Sequence, residues 1–323
     1  MELWDLYDRT GKRTGEIVER KFGSYHLIPE GRYHLVSDIL VQNKDGRYLL
    51  CKRHMDKDVY PGYWEASAGG SAQAGEDPEV CARRELKEET GIEAKELKLI
   101  NKTFREPSHS LIYSYVAYAD VDPASVVLQK EETVEYKWVD AAGLIEYTES
   151  ELAIKTSVER YKSFYNIVRL SAQNIAVRRA VLDDVQAVEA LFLEMLRTIY
   201  DTEDVTGYEP GYLERYFVDT EDLLYVAEAD GKTVAYLSIE VHREDRDYLY
   251  LDDLSVTEKY RSRGIGSCLI GMAEIYARKI GIPAIIFHVE KKNKSAYKLY
   301  KRLGYSDYKE EADRIMMKKE IEL

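Results

Sequence analysis

The apolar and polar positions of the chain change period several times. In the first half, short apolar runs between turn residues predict strands over Tyr33–Val41, Arg47–Lys52, Leu97–Phe104, Ser110–Ala119 and Thr133–Val139. The first two are joined by a turn from Asn43 to Gly46. A helical period takes over at Asp77-Pro78, which supplies an N-cap and a proline at the first helical position, and it stops at Gly91. A polar helical run is expected from Ser150 to Leu170. The second half reads β-α-α-β-β-β-α-β-α-β. Its strands are expected at Ile175–Arg179, Leu223–Glu228, Thr233–Val241, Tyr248–Val256, Ala284–Val289 and Ile315–Glu320. Its main helices are expected at Asp183–Thr198, Gly266–Ile280 and Ser295–Leu303. Asp230-Gly231 is a two-residue hairpin signal. No repeat, low-complexity tract or Gly/Pro linker marks the division. It is expected near Ser171 to Asn174, giving domains 1–170 and 174–323 of mixed α/β class.

Composition narrows the function. A chain of 323 residues is long enough for two ordinary domains, and 45% hydrophobic content can fill two cores. The net charge of −13, from 46 basic and 59 acidic residues, argues against nucleic-acid or anionic-membrane partners. Cys51, Cys81 and Cys268 are scattered without a CxxC pair, so neither a disulfide framework nor a zinc site is indicated. The N-terminus lacks a signal-like apolar stretch, and no apolar run reaches membrane length. A cytoplasmic location is expected.

The segment from Gly69 to Ile92, GGSAQAGEDPEVCARRELKEETGI, carries the first chemistry. Glu85, Glu88 and Glu89 stand at i, i+3 and i+4 and share one helix face. Like charges so placed cost roughly 0.2–0.5 kcal/mol per pair, which makes sense where a hard divalent cation binds. The wider spacing fits G-x5-E-x7-R-E-U-x-E-E-x-G-U at Gly70, Glu76, Arg84, Glu85, Leu86, Glu88, Glu89, Gly91 and Ile92, with U apolar. This stretch resembles the Nudix box, and the first half resembles the Nudix hydrolase superfamily. The resemblance implies an α/β/α sandwich with a mixed sheet. It also implies Mg²⁺- or Mn²⁺-dependent attack of water on a nucleoside diphosphate linked to a group X. It assigns metal binding to Glu85, Glu88, Glu89 and the carbonyl of Gly69, and bracing of the loop to Gly70, Glu76 and Arg84. The general base is sought among Glu131, Glu132 and Glu135, Glu132 first, with Glu88 also counted as catalytic. HLIPEGRYHLVSDILV and PGYWEASAGG resemble the subgroup containing isopentenyl-diphosphate isomerase. That enzyme uses a cysteine where Trp64 to Ala68 has none, and histidine ligands for which His26, His34 and His54 are the available residues. A hydrolase is therefore preferred, with His34 and Arg53 as substrate contacts.

The second chemistry lies in RSRGIG, between a strand and a helix. Arg261, Gly264 and Gly266 form RxxGxG, whose glycines let backbone N–H groups approach a phosphate at a helix N-terminus. Leu269 breaks a dinucleotide GxGxxG, and no Gly-Lys-Ser/Thr of a P-loop follows. Together with Asn293, Ala296, Leu299, Tyr300, Gly304 and Tyr305 downstream, this pattern resembles the GNAT family of N-acetyltransferases. The resemblance implies a central mixed sheet that splays apart, acetyl-CoA as cosubstrate and an amine acceptor. Arg261, Arg263, Gly264, Ile265, Gly266 and Ser267 would hold the pyrophosphate. Leu254 and Val256 would hold the pantetheine, and Asn293 would contact CoA or cap its helix. Tyr300 would protonate the leaving thiolate. Glu240, Asp252 and Asp253, with His242 behind them, are candidates for the base. Strand alternation puts Asp252 and Asp253 on opposite faces. A bifunctional enzyme acting on small molecules is the reading. The alternatives are a nucleotide or acyl-CoA sensor, and an isomerase-like first domain.

Overall fold

The computed structural model describes residues 2–21, 27–243 and 246–322, so His26 lies outside the described residues. The chain forms two compact units, 1–165 and 166–322. Each is described by itself.

The first unit is built on a nine-stranded mixed sheet. Its strands are β1 (Leu3–Tyr7), β2 (Arg13–Glu19), β3 (Tyr33–Asn43), β4 (Tyr48–Arg53), β5 (Trp64–Glu65), β6 (Ala68–Ser71), β7 (Glu96–Arg105), β8 (Ser110–Ala119) and β9 (Thr133–Val139). β3 runs parallel to β8 from His34↔Ser110 to Asn43↔Ala119 and antiparallel to β6, where Asp38 faces Gly69. Helix α1 (Pro78–Thr90) lies over β3 and β6. It buries Cys81, Ala82 and Leu86 on the sheet side, Ala82 and Leu86 in a cluster with Ile39, Leu49 and Tyr115. Asp77 begins the helix and Gly91 ends it in the left-handed conformation, φ 72°.

The long polar helix expected over 150–170 is two helices, α3 (Lys155–Arg160) and α4 (Lys162–Ser171), preceded by a separate helix α2 (Ala141–Glu149). Between α2 and α3 the backbone around Leu152 to Ile154 pairs with Trp64 instead. Trp64 N–H donates to the Leu152 carbonyl at 2.8 Å, and Ile154 N–H to the Trp64 carbonyl at 3.3 Å.

The second unit holds a seven-stranded sheet in the order β10-β11-β12-β13-β14-β16-β15. Its elements are β10 (Ile175–Arg179), α5 (Val185–Tyr200), β11 (Leu223–Ala229), β12 (Lys232–His242), β13 (Tyr248–Val256), α6 (Ile265–Ile280), β14 (Ala284–Glu290), α7 (Lys294–Arg302), β15 (Ser306–Glu310) and β16 (Arg314–Glu320). The second helix expected before β11 is only a short 3₁₀ turn, Leu213–Phe217. Asp230 and Gly231 both take positive φ, 52° and 70°, the geometry of a tight hairpin between β11 and β12.

Two irregularities of this sheet position the site. β13 and β14 are parallel neighbours, but they pair only at Leu249↔Ile285 and Tyr250↔Ile286, and the strands then part. Just past that fork, Leu237 faces Leu254 while Ile239 faces Leu251. Ser238 therefore opposes both Asp252 and Asp253, which is a β-bulge. The Ser238 hydroxyl fills it, accepting from Asp253 N–H at 2.9 Å.

Candidate active sites

In the first unit, Arg84 organises the acidic face of α1. Its guanidinium donates to both Glu76 oxygens at 2.7 and 2.8 Å, to Glu85 at 2.7 Å, to Glu88 at 3.0 Å and to the Ser71 carbonyl at 3.1 Å. Glu76 is thereby held below its ordinary pKa. Glu85 is pushed up by burial in spite of Arg84. Glu89, 8% exposed, is pushed well up by burial and by the nearby charges of Glu65, Glu85 and Glu132, while Gly69 N–H donates to it. Glycine at position 70 leaves the Glu85 carboxyl its place. A β-carbon there would sit 2.3 Å from the Glu85 carboxyl.

Around Glu89 stand residues that the sequence pattern did not single out. Glu65, on β5, accepts from Arg53 at 3.0 and 3.1 Å, and burial raises its carboxyl to about 7. Lys57 pairs with Glu132, whose charge acts on Glu89. Glu131 and Glu135 are exposed, Glu135 facing Lys52 at 3.4 Å. Of the three acids, Glu132 is the one whose charge acts on Glu89 of the helix. A carboxylate on a two-residue strand beside Trp64 carries no spacing signal, so Glu65 was not legible in advance.

The histidines take other roles. His34 is 1% exposed, stacks on Trp4 at 4.2 Å and has Nδ1 2.9 Å from the His109 carbonyl, so it is a core residue rather than a substrate contact. Burial lowers its pKa to about 4. Arg53 is committed to Glu65 and to the Val59 carbonyl. Ser67, at the position where an isomerase-like enzyme would show its cysteine region, is buried, bonding Val41 N–H and the Leu49 carbonyl. Cys51, Cys81 and Cys268 are free and buried.

In the second unit a cavity of about 670 Å³ opens beside the fork. Leu254, Val256, Arg261, Gly264, Ile265, Gly266, Ser267, Asn293 and Tyr300 all line it. Ser262 and Gly264 both take positive φ, 62° and 89°, turning the loop so that α6 begins at Ile265. Arg261 is tethered to the Val256 carbonyl at 2.9 Å. Arg263 does not join the lining and lies over the Tyr260 ring at 4.9 Å. Asn293 caps α7, accepting from Ala296 N–H at 3.1 Å. Tyr300 packs against Phe287 at 4.4 Å, and its hydroxyl has no hydrogen-bond partner among the described residues. Burial raises its pKa to about 12, so it is protonated at neutral pH.

The bulge corrects the alternation expected for the paired aspartates. Asp252 and Asp253 both reach one tyrosine cluster: Tyr212 O–H donates to Asp252 at 2.9 Å and Tyr208 O–H to Asp253 at 2.6 Å. The two tyrosine rings are stacked, 4.9 Å apart. The extra residue resets the two-residue period, so successive side chains share a face. Burial, then the charge of Asp252, raises Asp253 to about 7. Glu240 pairs with Arg215 and lies 3.3 Å from His242 Nε2.

Residues 32–161 match the family model of the NUDIX domain, and residues 189–305 that of the Acetyltransferase (GNAT) family. An uncharacterized Nudix hydrolase of Listeria monocytogenes is 34% identical over 143 residues, covering 43% of this chain and 80% of the relative. Nucleoside triphosphatase NudI of Escherichia coli is 36% identical over 118 residues, covering 33% and 82%. Among solved structures, the PaiA N-acetyltransferase of Thermoplasma acidophilum in complex with coenzyme A aligns with a TM-score of 0.39 and 18% identity, over 45% of this chain and 98% of that one. A GNAT-family acetyltransferase of Staphylococcus aureus aligns with a TM-score of 0.41 and 15% identity, over 46% and 99%. The chain belongs to the Nudix hydrolases and carries a GNAT-family acetyltransferase domain behind the Nudix domain. It is an enzyme of two catalytic classes. Among the described residues no helix is long and apolar enough to cross a membrane.

Proposed function

We propose that the first unit hydrolyses a nucleoside diphosphate linked to a further group, with Mg²⁺ or Mn²⁺, and that the second transfers an acetyl group from acetyl-CoA to an amine. The observation that supports the first reading is the face of α1 on which Arg84 pairs with Glu76, Glu85 and Glu88 beside buried Glu89, whose pKa burial and the charges of Glu65, Glu85 and Glu132 raise. Carboxylate oxygens are the donors that a hard divalent ion selects. As they stand, Arg84 takes up Glu85 and Glu88, and among the described residues no three acidic or histidine side chains are grouped tightly enough to hold an ion. The donor chemistry and the space that Gly70 leaves for Glu85 fit the cation. Glu85, Glu88 and Glu89, with the Gly69 carbonyl, are the residues that would hold it. When bound, it neutralises diphosphate charge and acidifies water. Glu132, set by Lys57, takes the proton of the attacking water. The water oxygen bonds to phosphorus as the bridging P–O bond breaks. The activity in NudI's name makes nucleoside triphosphates a second substrate class to try.

The second reading rests on the cavity at the fork, where the phosphate loop, Leu254, Val256 and Tyr300 share one lining. The acceptor nitrogen bonds to the thioester carbonyl carbon while the C–S bond breaks. The nitrogen's proton passes to Asp253, and Tyr300 protonates the departing thiolate.

The test incubates the full chain with ADP-ribose, NADH, nucleotide sugars, nucleoside triphosphates, dinucleoside polyphosphates, CoA and isopentenyl diphosphate. Each is run with and without Mg²⁺, beside Glu88→Gln. Cleavage that needs both Mg²⁺ and Glu88 is expected. Isomerisation of isopentenyl diphosphate with every other compound untouched would overturn the hydrolase reading. Acetyl transfer is followed in parallel by release of free thiol from acetyl-CoA.

A further inference from the structure

The polar cluster at the bulge holds more negative charge than proton removal requires. Asp222, Glu240, Asp252 and Asp253 bring four carboxylates to adjoining positions. Arg215 pairs with Glu240 and lies 3.4 Å from Asp222. His242 Nε2 stands 3.3 Å from the other Glu240 oxygen. Glu240 and Asp252 come from neighbouring strands, yet the Tyr212 hydroxyl is within 3.5 Å of the first and 2.9 Å of the second. A second observation is independent of the charge. Tyr216 is 1% exposed, and its buried hydroxyl has no hydrogen-bond partner among the described residues. The charged groups acting on that hydroxyl are Arg215, Asp252 and Glu240. It is therefore within electrostatic reach of the same cluster.

A buried polar group without a partner costs roughly 1–3 kcal/mol. Carboxylates pressed together raise each other's pKa for the same reason that they repel. Both costs are relieved by one kind of ligand, which brings positive charge and several N–H donors. The wall of the cluster suits the rest of such a molecule. Phe192, Tyr208 and Tyr212 form a stack with centroids 3.9 and 4.9 Å apart, near parallel at 14° and 9°. Aromatic surface receives methylene carbons and attracts ammonium groups.

We propose that the acceptor of the second unit is an aliphatic amine carrying two or more positive charges. One ammonium is held between Glu240 and Asp252, and the reacting amine is delivered to the fork of β13 and β14 beside Asp253. This rests on the acyltransferase reading given above.

Initial rates of acetyl transfer by the full chain would be measured with putrescine and spermidine, with n-butylamine as the singly charged amine and glycine as a zwitterion. The expected result is a kcat/KM for a polycation at least about tenfold above n-butylamine, the scale of a single well-placed ion pair. Glu240→Gln narrows that ratio through the KM of the amine, with the KM of acetyl-CoA unchanged, and Asp252→Asn does the same. Turnover of n-butylamine or glycine as fast as the polycations would overturn the proposal. So would an equal loss of kcat on all amines in both variants. Calorimetry of acetyl-CoA binding without amine separates the two readings. Binding with no polycation preference removes the acceptor proposal alone, and no binding removes acyl transfer with it.

Discussion

Gly70 shows how a single missing side chain can set a catalytic geometry. Its hypothetical β-carbon would meet the end of Glu85, a flexible carboxylate, at 2.3 Å, not a rigid backbone atom. In Gly70→Ala the carboxylate therefore yields, and Glu85 leaves the position in which Arg84 holds it. The unit is expected to fold while diphosphate hydrolysis falls roughly a hundredfold, the usual cost of a displacement near 1 Å. Trp4, Trp64 and Trp138 all belong to the first unit, so tryptophan fluorescence follows its unfolding directly. Wild-type hydrolysis in the variant would sink the argument. Tyr300 carries the matching prediction for the second unit. Its hydroxyl is protonated and has no hydrogen-bond partner among the described residues, and Tyr300 lines the cavity. Tyr300→Phe keeps the ring against Phe287 and removes only the acid. We expect kcat to fall about a hundredfold with the KM of acetyl-CoA unchanged, read from thiol release. A loss confined to KM would make Tyr300 a packing residue.

At the scale of elements, the bulge in β13 brings together the two aspartates of the proposed acceptor site. It places Asp253 against Asp252 and half-buries it, so its carboxyl rests at about 7 instead of the ordinary 3.8. Between those values the folded chain keeps a proton that the unfolded chain has lost. The contribution is therefore fully present below about pH 4, is lost as pH rises toward about 7, and is constant above that. Asp253→Asn is expected to remove this slope, at most about 1.4 kcal/mol per pH unit, seen as urea-dependent amide exchange in β13 at several pH values. An unchanged slope would place the titration elsewhere. The bulge also marks the limit of what the pattern disclosed. Helix α1 was legible because Asp77-Pro78 and Gly91 are local signals, and Asp230-Gly231 announced its turn for the same reason. The acidic face and the phosphate loop were legible because their spacing is fixed within one element. A bulge inserts one residue without altering composition, so period-two reasoning sent Asp252 and Asp253 to opposite faces. The helix expected over 150–170 failed differently. Long-range bonds from Trp64 tie down residues 152–154, with Leu152 in a turn and Ala153 bridged to Trp64, and no local propensity reports a partner almost ninety positions away. Tyr208 and Tyr212, which anchor the aspartates, sit in a segment with no regular period.

For the whole molecule, every proposed catalytic group of each activity comes from one unit. The acidic face, Glu65, Lys57 and Glu132 belong to residues 1–165, while the phosphate loop, the bulge and Tyr300 belong to residues 166–322. The two chemistries also draw on opposite electrostatics. In the proposed reading the first gathers carboxylates for a cation that would receive a polyanionic substrate. The second would offer backbone amides to an anionic cosubstrate and carboxylates to a cationic acceptor. Substitutions should therefore dissociate the activities. Glu88→Gln changes an exposed carboxylate whose contact here is Arg84, so it is expected to abolish Mg²⁺-dependent hydrolysis and leave acetyl transfer within about twofold of wild type. Tyr300→Phe should do the reverse. The measurement is both rates on both variants and on the double variant, with free-energy effects expected to add to within about 0.5 kcal/mol, as they do for independent sites without shared partners. A larger interaction term, or one substitution silencing both reactions, would show that occupancy of one site sets the other. The chain would then act as a coupled device, with the first unit's substrate controlling the second unit's output.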